Sequence, residues 1–154
     1  VTMYLLMLLT LMVVLPVVSI LIEQASGGDA TLLFLVGKWF VFWIVGVRLL
    51  LAGIRQVAQP SYTATKIFRI EDPQAEKLVT EIGFGNLAMG LVGVLTLLEP
   101  AWLVPAGITG GLYLGLDGIK HAMNADRSKA ENIAMATDVF GAAVIAVGVI
   151  ARLA

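Results

Sequence analysis

Cysteine is absent from this chain, which excludes disulfides, iron–sulfur clusters, thiolate metal sites and CxxC redox chemistry. Histidine is nearly absent. The single His121 excludes bis-histidine haem ligation within one chain and argues against a histidine-based metal cluster, so no metal site is expected. Charge is scarce too: Asp, Glu, Lys and Arg make up 14% of the residues, where a soluble domain carries about a quarter. A formal net charge of -1 offers no basic face for nucleic acid, which is not an expected partner. What is present is oil. Hydrophobic residues make up 59% of the chain and the mean hydropathy is +0.94, which points to an integral membrane protein.

Five apolar segments stand out, at 2–22, 31–54, 82–98, 101–119 and 133–151. A helix needs about 20 mainly apolar residues to cross a bilayer, with roughly 17 to 25 tolerated. The expected architecture is therefore one all-α domain, a bundle of five membrane-spanning helices over about 2–22, 31–54, 73–98, 101–121 and 129–152. The third and fourth segments are short and separated by Glu99-Pro100, so they read as a tight hairpin. The alternative is that one of them lies flat or re-enters. The first segment has no Lys or Arg before it, contains Pro16, and is followed by no A-x-A site, so it reads as a retained helix rather than a secretory signal.

Basic residues orient the bundle. Arg55, Lys66, Arg69 and Lys77 follow the second segment, and Lys120, Arg127 and Lys129 lie between the fourth and fifth. The loops at the other end carry none, and Arg152 is the lone basic residue beyond the apolar segments there. With five spans, the positive-inside rule places the N-terminus in the cytoplasm, in a prokaryotic inner membrane. Asp72-Pro73 reads as the start of the third helix, and Ser128-Lys129-Ala130-Glu131 as a capping box opening the fifth. The stretch 59–70 has the amphipathic mix of a headgroup surface.

Two kinds of constellation follow. Gly107, Gly111, Gly115 and Gly118 form a stripe of small residues on the fourth helix, and Gly83, Gly85, Gly90 and Gly93 a second on the third. Such faces let backbones approach closely. Packing of these two helices on each other is favoured over a homo-oligomer seam. The other constellation is polar. Arg48 lies about two turns before the end of the second helix, and Asp138 about 8 Å past the start of the last apolar segment, so both sit at one depth. Glu81 and Asn86 enter at that level, and Asp117 and His121, four apart, share a helix face. Arg48, Glu81, Asn86, Asp117, His121 and Asp138 are thus candidates for one ligand or proton site. The bland reading is an Arg48–Asp138 pair that only locks two helices, because an unpaired charge at mid-membrane costs about 2.5–3.5 kcal/mol. At the outer end, Lys38 is expected to snorkel toward Glu23 or Glu99. Trp39, Trp43 and Trp102 read as aromatic-belt residues.

Three stretches carry a family resemblance: GKWFVFWIVGVRL at 37–49, TEIGFGNLAMGLVG at 80–93 and DGIKHAMNADRSKAENIAMATD at 117–138. They resemble a family of small prokaryotic membrane proteins of unknown function and, more remotely, the DoxX-like four-helix membrane proteins. The closer likeness implies recurring polar positions at Lys38, Arg48, Glu81, Asn86, His121, Arg127, Glu131 and Asp138, and transfers no catalytic residue. The remoter one implies quinone-associated electron transfer.

Three functions remain in view. First is an accessory or interaction subunit of a larger membrane complex, without catalytic machinery. Second is a small oligomeric transporter or channel using the Arg48, Asp138 and His121 layer. Third is a lipid- or quinone-binding membrane enzyme. The cofactor is left unknown, and lipid is the expected surrounding partner.

Overall fold

The computed structural model describes residues 2–153, and all their regular structure is helical. The elements are α1 (Met3–Ala25), α2 (Leu32–Ala58), a short α3 (60–67), α4 (Gln74–Leu95), a 3-10 turn at Pro100–Trp102, α5 (Leu103–Met123) and α6 (Lys129–Leu153). Four of them, α1, α2, α4 and α6, are long and apolar enough to cross a membrane. The remaining long helix, α5, has 21 residues, but its glycines and Asp117 and Lys120 dilute its hydropathy.

Local chemistry explains the irregularities. Pro16 has no N–H to donate, and its ring crowds the carbonyl one turn earlier. The chain answers by widening into a π-helical turn at Thr10–Val14, just ahead of it. At the start of α2 the Thr31 hydroxyl accepts from the Phe34 N–H at 3.3 Å. Asp72 accepts from the Gln74 N–H at 2.8 Å, opening α4. The capping box at α6 is complete: Glu131 N–H donates to Ser128 Oγ at 3.0 Å, and Ser128 N–H donates to Glu131 Oε2 at 3.1 Å. The amphipathic stretch 59–70 forms α3. It ends at Arg69, whose positive φ of 57° lets the Ile70 N–H reach Ala64 O at 2.9 Å.

The central helix is α2. Of its most apolar stretch 44% is buried, against 28% for α1, α4 and α6. Within its π-helical segment Val41–Arg48, Ile44, Val45 and Gly46 are buried in succession, because neighbours stand on several sides. Leu8 and Met12 of α1, Leu114 of α5 and Ile145 of α6 complete the core around it.

The glycine faces are used differently from the pairing expected of α4 with α5. Gly83, Gly90 and Gly93 of α4 meet Gly53, Leu50 and Gly46 of α2. The α5 glycines turn instead to α6, Gly107 against Val149, Gly111 against Ile145, Gly115 against Ala142 and Gly118 against Val139, while Gly110 meets Val45 of α2. The reason lies in α2: Gly46 stands against Gly93 and Gly53 against Gly83 in an antiparallel crossing, so backbone meets backbone there. Branched side chains on α6 fill the notches of α5.

The exterior is apolar on every long helix, with Leu21, Leu33, Leu91, Leu112 and Ile150 among the exposed side chains. Such a surface suits hydrocarbon rather than water. Arg69 reaches Asp126 at 3.4 Å, so the loop before α4 and the loop between α5 and α6 lie at one end of the bundle.

Candidate functional site: a polar cavity at the basic end

Arg48 closes the π-helical segment of α2, and its Nη2 donates to Asp138 Oδ1 of α6 at 2.5 Å. The two side chains are 12% and 4% exposed, so the pair is deep enough to count as interior. Asp138 lies on the buried face of α6 that also carries Ala134, Gly141 and Ile145, the three- and four-residue spacing of one helix side.

Beside the pair lies a cavity of about 200 Å³ to which every helix contributes. Tyr4 comes from α1, Arg55 and Gln56 join Arg48 from α2, and Tyr62 comes from α3. Asn86 enters from α4, Tyr113, Asp117 and His121 from α5, and Asp138 from α6. Five of the six residues read from the sequence as one polar layer therefore line one space. Glu81 does not. It is exposed, two residues off the register Gly83, Asn86, Gly90, Gly93 that turns inward on α4, and so points away from the cavity it was expected to join.

Asp117 and His121 share a face of α5, and with Asp138 they bring one donor atom each to within 4.8 Å of one another. The trio has the donors of a cation site. Arg48, however, already supplies positive charge to Asp138, which weakens the trio's hold on a divalent ion. His121 is steadied from the loop side, its Nδ1 standing 3.5 Å from Glu131 Oε1. Glu131 is itself fixed by the Ser128 N–H and by Asn124 Nδ2 at 3.0 Å. Arg127 donates to the terminal carbonyls of α5 at His121, Ala122 and Asn124. The α5–α6 loop is thus a polar latch holding His121 against the cavity wall.

Two polar atoms in this lining have no partner. Arg48 Nη1 and Asn86 Oδ1 are buried and find no hydrogen-bond partner among the described residues. The Asn86 side-chain amide donates from Nδ2 to Gln56 Oε1 at 2.7 Å, which leaves its oxygen free. Turning both amides over would keep that bond and put a nitrogen where the oxygen stands, and the Tyr113 hydroxyl lies within reach of the same amide. The charged groups nearly cancel: Arg48 and Arg55 face Asp117 and Asp138.

Tyr4, Gln56, Tyr62 and Tyr113 were missed from the sequence. The available signal was chemical: a tyrosine within an apolar helix needs somewhere to place its hydroxyl. Arg55 and Tyr62 stack, with the guanidinium carbon 3.7 Å from the ring centre.

The opposite end of the bundle is structurally separate. Lys38 Nζ lies 2.7 and 2.8 Å from the two Glu23 oxygens, and Trp39 Nε1 donates to the same carboxylate at 2.7 Å. Glu99 takes no part in this group; it is exposed and accepts from the Ala101 N–H at 3.2 Å, capping the turn at 100–102. Trp43 donates to Ser19 Oγ at 3.0 Å, and Phe42 packs edge-to-face between Trp39 and Trp43. Trp102 is exposed.

A family model described as a family of unknown function (DUF6790) matches residues 2–153. No curated protein and no solved structure matches the chain.

Proposed function

The chain belongs to that family, and we propose that it is an integral membrane protein that holds a polar ligand, or the polar end of one, in the cavity beside Arg48 and Asp138. One observation carries the reading: Arg48 Nη1 and Asn86 Oδ1 lie buried and unpartnered in the lining of a single cavity. A buried polar group without a partner costs about 1–3 kcal/mol. Native proteins keep such groups where a ligand or ordered water completes them. Two residues on different helices line one space and each carries such an atom, which favours an occupant that bridges α2 and α4.

The chemistry of that occupant follows from the walls. Arg48 Nη1 asks for an acceptor, and the free end of the Asn86 amide asks for a donor as oxygen or an acceptor as nitrogen. With two arginines set against two aspartates, the lining has little appetite for further net charge. A neutral group that both donates and accepts fits best.

The accessory-subunit reading becomes the alternative. Compactness, the aromatic cluster at the outer end and the glycine-rich faces support it, though most of those glycines are occupied in packing within the bundle. For topology, we propose five spans with the N-terminus cytoplasmic, in a prokaryotic inner membrane. The Arg69–Asp126 contact supports this by bringing both basic loops to one end.

The test is native mass spectrometry of protein extracted gently from its own membrane. A bound mass retained by the wild type and lost in Asn86→Leu and Arg48→Gln is expected. Bare protein under conditions that keep the fold intact would overturn the proposal.

A further inference from the structure

We infer that the ligand is a membrane amphiphile with a neutral hydrogen-bonding head, entering sideways between α1 and α2 and leaving its chain in the lipid. The inference rests on the cavity being a ligand site, and adds the class of ligand and its route.

The cavity wall is graded. Its deep end holds the Arg48–Asp138 pair and Asn86, which is 3% exposed and carries the unpartnered oxygen. Its rim carries Met7 of α1, Leu51 of α2 and Phe68 just past α3, which are 42%, 47% and 40% exposed. Four lining side chains are exposed: these three large apolar groups, continuous with the apolar outer faces of α1 and α2 that bear Met3, Val14 and Ile54, and Arg55, which lies nearer the loop end of α2 and stacks on Tyr62. Toward the loops, α3 supplies a wall through Tyr62, Thr63 and Ile67, while its Ala64 packs with Ala75 and Val79 of α4. The open side therefore faces hydrocarbon.

Size and charge narrow the head. A cavity of about 200 Å³ has room for a compact polar head such as that of a glycerol ester. An added anion would upset the balance of two arginines and two aspartates, whereas a diol can accept from Arg48 Nη1 and donate to Asn86 Oδ1.

The experiment uses the full chain in phosphatidylcholine nanodiscs, titrated with monooleoylglycerol, with oleate and with glycerol. The thermal midpoint and the bound mass are read together. Monooleoylglycerol should raise the midpoint of the wild type, and glycerol at equal concentration should not. Asn86→Leu should weaken the effect by roughly tenfold, the worth of one lost hydrogen bond to a buried group. Leu51→Trp, at an exposed position where the fold is undisturbed, should weaken it by plugging the gap. An equal shift with glycerol would overturn the amphiphile and its lateral route while leaving the cavity as a ligand site. A stronger response to oleate would overturn the neutral head. A monooleoylglycerol shift that is the same in both variants would mark a lipid at the outer surface only, and no shift at all would also overturn the inference. A native mass that depends on Asn86 but carries no acyl chain would sink this inference and spare the reading it rests on.

Discussion

Arg48 and Asp138 stand 90 positions apart in the chain, yet they share a 2.5 Å hydrogen bond across the interior of the bundle. Removing one partner of a buried pair strands the other charge, at a cost of about 3–5 kcal/mol. Asp138→Asn and Arg48→Gln should each lower stability by an amount of that order in detergent unfolding titrations. The double variant Arg48→Met with Asp138→Leu should recover most of the loss, because it strands nothing. Additive losses would mean the two groups are not coupled.

The glycine crossings should be unforgiving where backbones touch and tolerant elsewhere. A Cβ on Gly93 would stand 2.5 Å from Gly46 N, whereas one on Gly85 meets nothing within 4 Å. Gly93→Ala should therefore destabilise by about 1–3 kcal/mol, as overpacking does. Gly85→Ala should be neutral or slightly stabilising, since alanine is the better helix former. Thermal midpoints of the two variants, measured side by side, check the contrast.

The latch on α5 and α6 gives a graded expectation. Ser128→Ala removes one cap of α6 and should cost about 1 kcal/mol. Glu131→Ala should cost more, because it releases the Ser128 N–H, Asn124 and His121 together. Hydrogen exchange should rise first in the opening turns of α6. Exchange confined to α4 in either variant would contradict the assignment of the latch.

At the outer end, Glu23 binds Lys38 and the Trp39 indole together, with Glu23 and Lys38 about a quarter exposed. Partly exposed pairs contribute little, about 1 kcal/mol or less. Glu23→Gln should thus produce a small loss of stability and a shift in tryptophan fluorescence. Glu99→Gln should leave the fluorescence unchanged.

The sequence made the charged layer legible and its geometry only partly so. Arg48 and Asp138 announce themselves as charges within apolar stretches, and counting residues from the segment ends sets them at one level. Level is easier to read than direction. On α4 both sides are apolar or glycine, so nothing in its pattern told Glu81 from Asn86; the inward register appears only once Gly83, Gly90 and Gly93 are seen against α2. The same ambiguity hid the partner of each glycine face. Tyr4 and Tyr113 escaped notice because a tyrosine in a membrane helix also reads as an interfacial residue. The capping box was different. Its four residues act within one turn, so local sequence was enough to place it.

The account's central claim is an occupied cavity, and the most direct measurement is a high-resolution density map of protein taken gently from its own membrane. The claim predicts continuous non-protein density within hydrogen-bonding distance of both Arg48 Nη1 and Asn86 Oδ1. Isolated water-sized peaks there, or a cavity closed by side chains that pair those two atoms, would contradict it.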